Sequence, residues 1–274
     1  VSAIEAIVLG IVQGLTEFLP ISSTGHLRLV PAFVGWDDPG ALFTAVIQLG
    51  TMVAVLIYFR QDLLRITRVW LESLRRPSLR RELDARMGWY IIVGTIPISV
   101  FGLAFHNQIE SGARNLYLIG TALIVLGLVL LWAERVSTRR RTVEQVTLRD
   151  GLAVGFAQAM ALVPGVSRSG ATITAGLFLG MKREAAARFS FLLSVPAIVL
   201  SGLYGLVGII SDTEGDHTSL GALAIATVFA FIVGYASIAF LLRYLANHST
   251  MVFVVYRVAL GAIVLILAAA GVID

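Results

Sequence analysis

Two apolar stretches of this chain, about 3–30 and 151–180, are interrupted near their middles by proline, glycine and hydroxyl residues. The first interruption reads EFLPISSTGHL from Glu17 to Leu27, and the second reads PGVSRSGAT from Pro164 to Thr172. No other feature constrains the fold as strongly. The surroundings look like lipid: 57% of residues are hydrophobic and only 14% charged, against about 25% in an ordinary soluble domain. Runs at about 41–59, 89–107, 116–134, 189–210, 220–242 and 251–272 approach or reach the ~20 residues that cross a hydrocarbon core. A broken helix at that depth frees backbone groups that lipid cannot satisfy, so the break must be buried in protein or line a wet cavity. Both broken stretches are therefore expected to be re-entrant helix–turn–helix hairpins. The predicted fold is an all-α polytopic membrane protein with six transmembrane helices plus two such hairpins. With no cysteine, disulfides and thiolate metal sites are excluded.

Charge sets an expected orientation. A net charge of +4 could suggest nucleic acid, but 20 of the 21 basic residues are arginine and most fall in two segments. Arg60 to Arg86 carries eight arginines and Arg135 to Arg149 five, the pattern of cytoplasmic loops, so no nucleic-acid partner is expected. The acidic SDTEGD from Ser211 is expected on the outer face, and WDDPG from Trp36 as an interfacial turn. Threading the spans through these constraints brings the first hairpin in from the outer face and the second from the cytoplasmic face, with both termini outside.

The two broken stretches resemble each other 145 positions apart. Gly10 matches Gly155, Gln13 matches Gln158, Ser22 matches Ser167 and Gly25 matches Gly170, while Thr24 faces Ser169 and Glu5 faces Asp150. Each is followed by a similar span, LFTAVIQLG from Leu42 and RFSFLLSVP from Arg188. Three spans per half is an odd number, so the halves must have opposite topology. A single membrane domain made of two inverted repeats, about 1–135 and 150–274, is expected, with the broken helices meeting near the midplane.

That meeting would gather Glu17, Ser22, Ser23, Thr24 and His26 from the first turn with Ser167, Arg168, Ser169 and Thr172 from the second. An ionisable group at bilayer depth costs at least ~2.5–3.5 kcal/mol, so a functional reason is sought first. The second turn points to phosphate. Gly165 and Gly170 let the backbone approach a ligand closely. The following helix start favours an anion, two serines add hydroxyls, and Arg168 offers a planar bidentate fork. Two such cradles face to face suit two linked phosphates. Glu17 fits a divalent cation or proton transfer, and His26 can be nucleophile, acid or base. More ordinary readings also apply. Intramembrane hydroxyls often bond a helix carbonyl, Arg168 could simply neutralise Glu17, and Gln13 and Gln158 read as helix–helix hydrogen bonders. His106, His217 and His248 lie near span ends or in loops and are expected to be non-catalytic. Arg257 is placed near the cytoplasmic end of the last span, snorkelling or meeting a lipid headgroup.

These motifs, QGLTEFLPISSTGH from Gln13 and PGVSRSGAT from Pro164, with VIQLG from Val46, make the whole chain resemble the undecaprenyl pyrophosphate phosphatases, the bacitracin-resistance family of bacterial inner membranes. The resemblance implies hydrolysis of undecaprenyl pyrophosphate to undecaprenyl phosphate and inorganic phosphate, which recycles a carrier for envelope polymers. It also implies a divalent cation, Mg2+ or Ca2+, and a site open to the outer face. Carried over by position, the acidic motif falls on Gln13 and Glu17, which would hold the metal. The hydroxyl-rich turn falls on Ser22, Ser23 and Thr24, the histidine on His26, and the arginine motif on Ser167, Arg168, Ser169 and Thr172, with Gly170 a further pyrophosphate-binding candidate. Two departures are Gln13, where many members carry glutamate, and Thr44, at a position commonly acidic. Glu17, His26, Arg168 and Ser23 are the catalytic candidates, with His26, Ser23 and water all open as nucleophile. The expected partners are a polyprenyl pyrophosphate lipid and membrane lipid, and a homodimer is compatible with the sequence. A transporter or flippase of a polyprenyl phosphate lipid is the alternative, since inverted repeats with broken helices are its usual scaffold. A non-catalytic scaffold would leave Glu17 and His26 without purpose.

Overall fold

The computed structural model describes residues 1–105, 115–211 and 219–273. Among them the chain is helical: α1 (Ala3–Phe18), α2 (Ser23–Val34), α3 (Gly40–Tyr58), α4 (Arg60–Arg75), α5 (Leu83–Ala104), α6 (Leu116–Val136), α7 (Leu148–Ala159), α8 (Arg168–Phe178), α9 (Arg183–Ser211), α10 (Leu220–Asn247) and α11 (Met251–Ala269). Five of these helices, α5, α6, α9, α10 and α11, are long and apolar enough to cross a membrane. A sixth span is counted if α3 and α4, bent by 71° at their junction, are taken together. The chain is thus a multi-pass membrane protein. Of the sequence expectations, His106, His217 and most of SDTEGD lie outside the described residues.

Both interrupted stretches are broken, as expected. α1 ends at Phe18 and α2 begins at Ser23; α7 ends at Ala159, passes through a single 3-10 turn at Met160–Leu162, and gives way to α8 at Arg168. Each stretch begins with a capping box, Ser2 with Glu5 and Thr147 with Asp150, so the aligned acids Glu5 and Asp150 do the same work on the free N–H groups of a helix start. The second stretch folds back on itself. Arg141 donates to the Asp150 carboxylate at its beginning and to the Leu179 carbonyl at its end, so both ends meet one arginine-rich segment.

The halves interlock. α1 packs along α10, and α7 packs along α5, so the first helix of each broken stretch lies on the middle span of the other half. Aligned glycines make both crossings close: a Cβ on Gly10 would collide with the Ala226 carbonyl of α10, and one on Gly155 with the Gly94 carbonyl of α5. Helix association without a hydrophobic drive depends on such small-residue contacts.

One expectation needs correction. The arginine-rich segment after residue 59 is not an irregular loop. Its apolar residues Leu63, Ile66 and Trp70 recur at helical spacing, with the small Ser73 continuing the face, and α4 lays that face on α5, where Gly88 leaves room for the Trp70 ring. Its polar face is tied by ion pairs of Arg65 with Asp84 at 2.9 Å and of Arg188 with Asp62 at 2.6 Å. α5 accordingly starts six residues before the expected span at 89.

Candidate active site

The two turns share one backbone frame. Ser22 has φ 77° and Ser167 φ 69°, a region side-chain-bearing residues rarely adopt. In each, the serine hydroxyl accepts the N–H three residues on, Gly25 at 3.4 Å and Gly170 at 3.1 Å, and so caps α2 and α8. In each it also meets the hydroxyl two residues on, Thr24 at 3.3 Å and Ser169 at 3.2 Å. Backbone strain of this kind costs about 1–3 kcal/mol per residue and persists where the surroundings enforce it, typically at functional sites. The caps aim the positive ends of two helices into the same region.

Glu17 is the hub. Its carboxylate, nearly buried at the end of α1, accepts from Ser23 Oγ at 2.6 Å and from Gln13 Nε2 at 3.2 Å, and pairs with the Arg168 guanidinium from the other half. Arg168 and Glu17 are 151 residues apart in sequence, so the fold has joined the halves here. Ser169 reinforces the junction by donating to the Leu19 carbonyl at 3.0 Å. A narrow cavity opens beside the pair, lined also by Phe191, Ser190 and Ser194.

Other predicted residues stand in different relations to this hub. His26 is buried, one ring nitrogen on the Ser22 carbonyl at 2.7 Å and the other on the Tyr256 hydroxyl at 2.6 Å; it braces the capped turn. Its Nδ1 faces a carbonyl, which accepts only, so Nδ1 carries a proton, and in the neutral ring Nε2 accepts from Tyr256. Thr24 is exposed at the mouth of the turn. Thr172 is fully buried, its hydroxyl donating to the Arg168 carbonyl at 2.7 Å and meeting Ser190, so it supports the turn from behind. Gln13 reaches Thr51 of α3 at 3.4 Å as well as Glu17, a helix–helix link as expected. Gln158 does not act as one: both its amide atoms are buried without a partner. Thr44 donates to the Gly40 carbonyl within α3.

The largest correction concerns Arg257. It is completely buried, not snorkelling, and its guanidinium donates to carbonyls of both turns, Pro20 at 3.3 Å, Gly165 at 3.2 Å and Val166 at 2.9 Å. The sequence offered little to find it, because one arginine in an apolar helix near a span end reads as interfacial. Tyr256 was missed for the same reason. Ser190 and Ser194 left a faint signal, two hydroxyls four residues apart on an apolar span.

The family model described as bacitracin resistance protein BacA matches residues 6–263. The chain belongs to the BacA family. Among its relatives is an undecaprenyl-diphosphatase of Nocardioides sp., 55% identical over 274 residues that cover 100% of this chain and 99% of that protein. Those of Mycolicibacterium smegmatis and Thermobifida fusca are 55% and 53% identical, covering 99% of this chain and 99% and 92% of theirs. The BacA match contains both capped turns, the Glu17–Arg168 junction and Arg257.

Proposed function

We propose that this chain is a membrane phosphatase that hydrolyses undecaprenyl pyrophosphate to undecaprenyl phosphate and inorganic phosphate, returning the lipid carrier to cell-wall synthesis and so conferring bacitracin resistance. The relatives named as undecaprenyl-diphosphatases support the reading, being about half identical to the chain over its whole length. The observation that carries it is the junction of Glu17 with Ser23 on one side and Arg168 on the other. A nucleophile within hydrogen-bond reach of a base, beside a guanidinium and two helix N-termini, is what phosphoryl transfer needs.

The same geometry orders the candidates for nucleophile. Ser23 Oγ attacks the terminal phosphorus, its proton passes to Glu17, and the bond from that phosphorus to the bridging oxygen breaks to release undecaprenyl phosphate. Glu17 passes that proton on to the departing undecaprenyl phosphate; water then cleaves the phosphoserine, giving a proton to Glu17, which returns it to Ser23 Oγ as that oxygen leaves and inorganic phosphate is released. Before substrate arrives, Arg168 pairs with Glu17, which avoids two uncompensated charges at membrane depth. On binding, the guanidinium turns to the terminal phosphate and frees the carboxylate to act as base. Ser22, Thr24, Ser167, Ser169 and Gly170 line or shape the two cradles that receive the diphosphate. His26, tied to Ser22 and Tyr256, orients the turn that bears Ser23.

A divalent cation, Mg2+ or Ca2+, fits as a shared ligand rather than a caged one. Among the described residues no cluster of three acidic or imidazole ligands exists. Glu17 offers one carboxylate; Gln13, whose amide N–H faces that carboxylate, would add its oxygen only after the amide turns over, and substrate phosphates would complete the set, as is common for Mg2+. Bound there, the cation would offset phosphate charge. The division of the single membrane domain into inverted repeats of about 1–135 and 150–274, the bacterial inner-membrane location and a pocket open to the outer face belong to the same reading. All the site residues come from one chain, so a homodimer is not required for the chemistry.

The test is phosphate release from undecaprenyl pyrophosphate by purified protein with Mg2+ or Ca2+, lost on chelation and restored by the cation. No release under any cation condition would turn the reading toward a transporter or flippase of the lipid phosphate.

A further inference from the structure

Arg257 stands out among groups the proposed chemistry does not use. An arginine at bilayer depth normally finds a carboxylate or reaches the interface. Arg257 does neither: it is 0% exposed, and its five described bonds all go to backbone carbonyls. Three of these belong to the two broken turns: Pro20 beside the first cap, and Gly165 and Val166 beside the second. The others, Ala122 and Leu123, anchor the guanidinium to α6. Broken turns leave carbonyls that lipid cannot satisfy, and a rigid fork with five N–H donors serves several at once where an ammonium could not. The fit is close, since a Cβ added to Gly170 would stand 2.6 Å from Arg257 Nη1. The glycine after the second serine pair leaves room for this guanidinium and for the Ser167 side chain, whose Cβ an added methyl would approach to 3.1 Å.

Resting on the phosphatase reading, we infer that Arg257 is a positioning residue for phosphoryl transfer. Held behind both turns, it sets their separation and with it the distance between Ser23 on one and Arg168 on the other. Substrate does not touch it. Its role follows from the mechanics of the site: the nucleophile and the charge that stabilises the transition state sit on different halves of the chain, and only groups bridging the halves can fix their relation. Ser169 to Leu19 is one bridge and the Glu17–Arg168 pair another, but the pair must open when substrate binds. Arg257 remains in place through the reaction.

The experiment compares wild type, Arg257→Lys, Arg257→Met and Gly170→Ala, purified in detergent, for kcat and KM of phosphate release, with gel filtration and thermal unfolding alongside. Arg257→Lys keeps the charge and loses the fork. A monodisperse sample is expected with kcat lowered about 100-fold, the effect of an ångström-scale misplacement, and KM changed less than about threefold. Arg257→Met is expected to fall at least as far. Gly170→Ala, which leaves Arg257 intact but pushes a methyl into it, is expected to show the same loss of kcat with KM kept, and it carries the test if both Arg257 variants fail to fold. Wild-type kcat in a folded Arg257→Lys, or a loss confined to KM, overturns the inference; if both Arg257 variants fail to fold, a wild-type kcat in Gly170→Ala does so. Wild type that releases no phosphate refutes the phosphatase reading instead, and is distinguishable because it appears before any substitution is made.

Discussion

The first turn and the second turn are built alike and equipped differently. Both place a serine at φ near +70° as helix cap, a hydroxyl two residues on and a glycine three residues on. At the position after the cap one carries Ser23 and the other Arg168; where one has His26 the other has Ala171; where one has Glu17 the other has Leu162. On the proposed mechanism this shared frame is divided between chemistry and charge. In that reading the first turn holds the nucleophile and base, and the second holds the cation that receives the phosphate. The difference explains the orphaned amide as well. Gln13 finds its partner in Glu17, but the residue aligned with Glu17 is Leu162, so Gln158 has no acid at that place to bond.

If the division is real, substitutions should separate the turns by rank. Ser23→Ala should lower phosphate release by about a thousandfold or more, because it removes the group that attacks, whereas the aligned change Arg168→Ser should leave a protein still able to form a trapped phosphoserine, though slowly. Isolating a phosphoenzyme labelled at any residue other than 23 would break the comparison. Arg168→Lys should cost about a hundredfold in kcat, since a point charge replaces a bidentate fork at the transferring phosphate. A loss seen only in KM would mean the second turn merely binds. His26→Ala should lower kcat by roughly tenfold to a hundredfold by loosening the Ser22 cap, and Tyr256→Phe by less than about tenfold, since it removes one bond to an imidazole that retains the other. The smallest contrast is between the two glutamines. Gln13→Leu should weaken activity and the response to added cation, while Gln158→Leu should leave activity within about twofold and raise stability by about 1–3 kcal/mol, the cost of an unsatisfied buried polar group. Equal effects at the two positions would argue that the halves are not divided as described.

Much of this was legible before any coordinates, for reasons that can be named. Breaks in an apolar stretch are visible because proline, glycine and hydroxyls are rare in lipid, and their matched spacing made the likeness of the two turns readable despite few identities. Glu17 and Arg168 were legible because charge at bilayer depth is costly and so singles itself out. Arg257 was equally costly but misjudged, because distance along a helix does not reveal how far the turns of other segments lean toward it. The strained φ of Ser22 and Ser167 could not be read either: serine carries no mark of it, and only the packing of both halves enforces it. α4 is hard to read from sequence because its arginine density matches that of a loop, while its apolar residues, spaced three and four apart, are few.

The central claim is that Glu17 and Arg168, from opposite halves, act as one unit on one phosphate. A double-mutant cycle on kcat/KM tests it directly, using Glu17→Gln, Arg168→Gln and the double variant, each shown to be folded. Each single change should cost about a thousandfold, and the double variant should be scarcely worse than either, as for groups that work as a unit. Losses that multiply in the double variant would show two residues acting independently and would contradict the account.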